Sequence, residues 1–174
     1  IDRDPKGQLD ILFALAIKHG VPLDIHLHET GDLGAFTRVL IFERIRAHGM
    51  QGKVAISHAF ALGMNDYLRV GQLIEQIALL DVAILTTGAP SATVPSIRRL
   101  KQACVRIGGG CDGIRDTWCP WGQPAMLYRA RIIGMKNGLP SADYLYHLLH
   151  PVSQRRADAI GLQNYGLTIC CNAV

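Results

Sequence analysis

Four short apolar runs, each followed by a stretch of helical periodicity, constrain this chain more than any other feature. The runs are 21–27, 53–58, 81–86 and a segment that starts at Cys104 and passes Gly108, Gly109 and Gly110 to reach Asp112. Between them, residues 8–19 place Leu9, Leu12, Phe13, Ala16 and Ile17 at helical spacing ahead of Gly20. Residues 35–48 repeat the pattern with Phe36, Val39, Leu40, Phe42 and Ile45 expected to face inward. Residues 65–80 carry a stripe of Leu68, Leu73, Ile77 and Leu80. Further helices are expected over 95–101 and 123–136, with a shorter pair at 141–149 and 153–160. Strand and helix alternating with short connections is the pattern of parallel β/α units, whose strands are buried on both faces.

An open doubly wound sheet and a (β/α)8 barrel both satisfy this pattern. No G-x-G-x-x-G follows a strand, and the Gly108–Gly110 run does not open a helix, which weakens a dinucleotide-binding reading. The polar residues favour the barrel. Three strands end in groups of catalytic type: His26, His28 and Glu29 on the first, His58 on the second, Asp112 on the fourth. Barrel enzymes collect their chemistry at the C-terminal ends of several strands. A full barrel takes about 250 residues, so four units make about half of one.

Composition excludes other classes. At 174 residues and 49% hydrophobic, the chain can bury a real core, and 18% charged residues argue against disorder. The net charge of +4 comes without an aromatic-interleaved basic run, so no nucleic-acid partner is expected. Five cysteines without a C-x-x-C argue against a disulfide framework and fit a reducing, cytoplasmic setting. No apolar run approaches the ~20 residues of a membrane helix, so no membrane partner is expected either. The chain opens on Ile1 rather than Met and stops in mid-pattern at Val174, and is read as a piece of a longer protein. A homo-oligomer is compatible with all of this.

Side chains alternate along a strand, so His26 and His28 share a face. Imidazole and carboxylate together suit one divalent metal such as Zn²⁺ or Fe²⁺, with His26 and Asp112 as candidate ligands. Such a metal brings the pKa of water near ~7. Glu29, turned over the mouth of the barrel at Gly31, has the chemistry to pass the proton to a leaving nitrogen, and His58 to hold the hydroxide or polarise the substrate. Each residue alone has a plainer explanation. His58 could be a hydrogen-bonded structural histidine, Asp112 a turn cap, and Trp118 and Trp121 core. The convergence of three strand ends carries the reading.

At these residues the sequence resembles the cytosine deaminase-like branch of the amidohydrolase superfamily. Asp24-Ile25-His26-Leu27-His28-Glu29-Thr30-Gly31-Asp32 is similar to the fifth-strand motif of that branch, and Ser57-His58-Ala59 to its sixth. Gly110-Cys111-Asp112, with Asp116-x-Trp118-x-Pro120-x-Gly122, is similar to the eighth-strand motif and its loop. The resemblance implies α/β architecture, the C-terminal half of a (β/α)8 barrel (strands 5–8), over residues 1–163. Residues 164–174, with Tyr165-Gly166-Leu167, resemble the return toward a small flanking β-sandwich. It implies metal-dependent hydrolytic deamination of a cytosine-like cyclic amidine: hydroxide attack on the ring carbon, then release of ammonia. Carried over by position, His26 and Asp112 are metal ligands, Glu29 shuttles protons, His58 assists and Asp112 also accepts a proton. Trp118 packs on the substrate ring, with His28 and Asp116 as further substrate-binding candidates.

Three departures qualify the match. The family's own His-x-His on strand one is absent, so the chain alone is expected to be inactive, and a non-catalytic remnant is a rival reading. Gly113 stands where cytosine deaminases carry a second acid, and His28 where they usually carry Asp. The run from Ile114 to Gly122, with His28, is also similar to the N-isopropylammelide amidohydrolases, which makes a pyrimidine- or triazine-like small molecule the expected partner. The other zinc-dependent base deaminases need H-x-E with P-C-x-x-C, and neither occurs.

Overall fold

The structure, a computed structural model, describes residues 3–117, 119–139 and, beyond those, 152, 153, 157, 158, 161, 162, 164–166, 169 and 171. Helix α1 (Pro5–His19) starts where the Asp4 carboxylate accepts the Gly7 N–H, with Pro5 in the first turn. It stops at Gly20 in the left-handed conformation, whose N–H returns to the last turn. Then come β1 (Leu23–Leu27), α2 (Gly31–His48), β2 (Val54–His58), a 3-10 turn (Phe60–Gly63) and α3 (Tyr67–Leu79). After these follow β3 (Ala83–Thr86), α4 (Ile97–Gln102), β4 (Ile107–Gly109) and α5 (Met126–Lys136). The expected helix at 141–149 and most of that at 153–160 lie outside the described residues, as does Leu167 of the return segment.

The four strands form one sheet in the order β1-β2-β3-β4, every pair parallel. A doubly wound sheet reverses its order at a switch point. Here each strand adds beside its predecessor in one direction, as along the wall of a barrel. The sheet is therefore consistent with part of a (β/α)8 barrel.

The pleat sorts side chains onto two faces. Ile25 and Leu27, Val54 and Ile56, Ile84, and Ile107 join Leu9, Phe13, Ile41, Ile45, Val70, Ile77 and Leu100 in the core between sheet and helices. The opposite face carries Asp24 and His26 from β1, and Ala55, Ala83 and Leu85 from β2 and β3. This face is most open at β1, where Asp24, His26 and His28 are exposed, while Ser57 and Leu85 on β2 and β3 are half-buried. The expectation of strands buried on both faces thus holds on the helix side of the sheet and is met only in part on the other.

Some inward faces differ from those read in the sequence. Phe36 and Val39 are exposed, and the buried arc of α2 runs through Gly34, Ala35, Arg38, Ile41, Phe42 and Ile45. On α3, Leu68 is exposed while Val70 and Ile74 take its place in the core. Trp121, read as core by its type, is 83% exposed. No helix among the described residues is long and apolar enough to cross a membrane.

Candidate active site

The sheet gathers its polar strand ends on the open face. In register, His26 lies beside Ser57 and Leu27 beside His58. Strict alternation would send His58 after Val54 and Ile56 toward the helices. Instead the backbone leaves the β region at that residue: His58 and Ala59 both have positive φ, 67° and 54°. Consecutive non-glycine residues in this conformation are strained, a feature that clusters at functional sites. Buried Ala59 holds the turn, its N–H reaching the Leu27 and Ser57 carbonyls. The result is a His58 ring 4.3 Å from that of His26, edge to face, with the His28 ring 5.4 Å from His26.

Asp112 arrives from a loop rather than from a strand. β4 ends at Gly109, three residues short of the expected strand end, and the Gly110 N–H still bonds the Thr86 carbonyl. From there the Asp112 carboxylate reaches 3.9 Å from His58 Nε2. One potential ligand atom from each of His26, His58 and Asp112 lies within 4.8 Å of the others. Two imidazoles and a carboxylate on three separate segments are a donor set suited to a borderline divalent cation. His58 is buried with Nδ1 unpartnered, and burial pushes its pKa down from 6.5. His26 and His28 add to the lowering, while Asp112 and Asp24 oppose it. A neutral imidazole keeps a lone pair for a metal or a substrate proton, so the residues fit the expected ion.

Around this group runs a cavity of about 490 Å³, walled by His26, His28, His58, Phe60, Asp112, Gly113, Cys119 and Arg129 and by the Thr87 and Ala89–Ser91 loop. His28, an expected substrate contact, lines it. Glu29 does not. Its half-buried side chain, with Oε2 unpartnered, lines a separate hollow along β1 with His26, His28, Leu33 and Phe36. Asp116 serves its own loop: its Oδ1 accepts the Cys119 N–H at 2.7 Å, and its carboxylate fills the space a Cβ on Gly113 would need. Trp118 lies outside the described residues.

Two arginines were not singled out by the sequence. Arg38 on α2 is fully buried, with Nη1 on the Gly34 carbonyl and Nε and Nη2 unpartnered. Burial pulls its pKa down to about 10, against the opposing pull of Glu29. Arg129 on α5 is buried at the cavity wall. Neither carries a sequence signal, because both sit mid-helix where a cation is normally solvated.

No protein-family model matches the chain. It is 27% identical over 172 residues to the N-isopropylammelide isopropyl amidohydrolase of Pseudomonas sp. strain ADP, covering 97% of this chain and 42% of that protein. The crystal structure of N-isopropylammelide isopropylaminohydrolase from Burkholderia multivorans superposes with a TM-score of 0.92 at 42% identity, over 97% of this chain and 43% of that one. The 5-methylcytosine deaminase of Klebsiella pneumoniae, liganded with 5-fluorocytosine, shares the fold at TM-score 0.80 and 24% identity, over 94% and 43% of the two chains. The chain therefore spans about two fifths of the length of these proteins. Strand-end motifs, fold and relatives agree: the chain is similar to amidohydrolases, with N-isopropylammelide amidohydrolases among its relatives, and matches part of their length.

Proposed function

We propose that this chain supplies part of the active site of a metal-dependent hydrolase that removes an exocyclic amine from a nitrogen heterocycle. The observation that carries the reading is the convergence of His26, His58 and Asp112 to within 4.8 Å on one face of a parallel sheet. In this reading residues 1–163 are strands 5–8 of the barrel with their helices, residues 164–174 return toward a β-sandwich, and the protein works in the cytoplasm. His26 and Asp112 hold the ion. When bound, a zinc or iron ion supplies water acidified toward pKa ~7.

The remaining steps belong to the chain's own side chains. Neutral His58 orients the attacking water and polarises the ring carbon's nitrogen neighbour. Asp112 accepts a proton, and Glu29, whose hollow shares His26 and His28 with the cavity, turns past them to carry one to the departing amine. Water's oxygen stays on the ring carbon as the C–N bond breaks. His28 and Trp118 contact the ring, and Asp116, bonded within its own loop, acts on it by holding that loop beside Gly113 and Cys119.

A triazine-type substrate is favoured over cytosine by one specific finding, the 42% identity to an N-isopropylammelide isopropylaminohydrolase. Gly113 and His28 point the same way.

The test is metal content by elemental analysis together with turnover of ammelide, N-isopropylammelide, cytosine and isocytosine by the full-length protein. About one zinc or iron per chain, with amine release from a triazine, is expected. Glu29→Gln should abolish turnover and leave the metal bound. Failure to bind metal would return the chain to the remnant reading, and an active Glu29→Gln enzyme would remove the proton-shuttle role.

A further inference from the structure

Asp112 poses a positioning problem. It stands on a loop beyond the end of β4, its side chain is 58% exposed, and its one close described contact is His58 at 3.9 Å. A carboxylate held so loosely is a poor metal ligand, because ligands act well when outer groups fix their orientation. The adjacent residue is anchored, however. Cys111 Sγ accepts a hydrogen bond from Arg129 Nη2 at 3.3 Å, and its thiol donates to the Gln123 carbonyl at 3.1 Å. The same guanidinium donates through Nη1 to the Thr87 carbonyl at 3.0 Å. Arg129 therefore joins the loop after β3 to the loop after β4, at the wall of the cavity.

Packing alone does not account for an arginine there. Its side chain is buried, its Nε has no partner, and no carboxylate pairs with it among the described ion pairs. A leucine or methionine at this place on α5 would avoid the desolvation cost of a buried cation. What an aliphatic residue lacks is a planar fork that satisfies two acceptors on two loops at once.

We infer that Arg129 is a positioning residue for Asp112: its guanidinium clamps Cys111 and Thr87, and so sets where the ligand carboxylate meets His58 and His26. This rests on the metal-site reading above. It adds a residue that neither touches the ion nor comes from a strand end.

The experiment measures Zn²⁺ and Co²⁺ affinity by chelator competition on the full-length protein and its Arg129→Met, Arg129→Lys, Cys111→Ala and Cys111→Ser variants. Peptide-resolved hydrogen exchange of residues 110–113 is followed in parallel. Loss of such an outer contact typically weakens metal binding by about 10–100-fold. That loss is expected for Arg129→Met and Cys111→Ala, with faster exchange at 110–113. Lys, a point donor, should restore little, while Ser, which keeps donor and acceptor, should restore most. Wild-type affinity and exchange in folded Arg129→Met and Cys111→Ala would overturn the inference. So would a variant whose unfolding midpoint drops while its folded fraction binds metal normally. If the wild-type protein itself binds no metal, the site reading fails, and the exchange comparison still decides whether Arg129 orders the Asp112 loop.

Discussion

Replacing Gly34 by alanine tests how α2 supports the carboxylate expected to move protons. A Cβ built on Gly34 falls 2.2 Å from the Glu29 carbonyl oxygen, and 2.9 Å from both the Glu29 carbonyl carbon and the Ala61 Cβ. Ordinary carbon contacts begin at about 3.5 Å, so the overlap exceeds 1 Å on the closest atom. Two of the three atoms are backbone and cannot rotate away. Overpacking of this kind costs about 1–3 kcal/mol, and the backbone collision puts it in the upper part of that range. Gly34 is helical, so alanine returns about 1 kcal/mol of helix propensity. The net is a loss of about 1–2 kcal/mol. At this chain length that lowers the thermal midpoint by about 2–8 °C, taking about 2–4 °C per kcal/mol. The strain is relieved by moving α2 off β1 or by pushing Glu29 away, and a displacement near 1 Å can cost about 10²-fold in rate. Calorimetry gives the first quantity, and turnover by the full-length protein gives the second. A midpoint that is unchanged, or raised as propensity alone would raise it, would show that the close approach of α2 to Glu29 does not exist in solution.

Two further perturbations follow from the buried basic side chains. His58 has its pKa lowered, mainly by burial. At pH well above 6.5 it is neutral folded and unfolded and contributes no pH dependence. As pH falls through 6.5 the unfolded chain takes the proton first, so stability should fall there. Urea titrations of chelator-treated protein at pH 7.5 and 5.5 should show this loss, and His58→Gln should shrink it; an equal slope in both proteins would remove His58 as the source. Arg38→Met is expected to leave the unfolding midpoint unchanged or raised, because burial outweighs the pull of Glu29 on this guanidinium and methionine fills the space without that cost. A clear drop would mean that the Arg38–Glu29 attraction exceeds the burial cost.

The parts of this molecule that follow from chain-local periodicity were legible before the structure. Period-two alternation put His26 and His28 on one face, opposite Ile25 and Leu27, and the apolar runs located all four strands. Residues whose position depends on a neighbouring element were not. His58 reaches His26 because two residues adopt positive φ, and neither histidine nor alanine advertises that conformation. The buried arc of α2 takes in Arg38 and leaves out Phe36 and Val39, a choice set by what packs against the helix. Arg129 could not be read at all, since its partners Thr87 and Cys111 lie 42 and 18 residues before it, in the loops after β3 and β4.

The open side of β1 has a consequence of its own. Among the described residues β1 pairs with β2 alone, and the hollow beside it is lined by Leu9, Leu12, Leu33 and Phe36 as well as by His26 and His28. Unsatisfied peptide groups next to apolar side chains recruit another strand. Any strand that zips onto this edge also becomes a wall beside His26 and Glu29. For this architecture, quenching a sticky edge and walling the candidate site are therefore the same event.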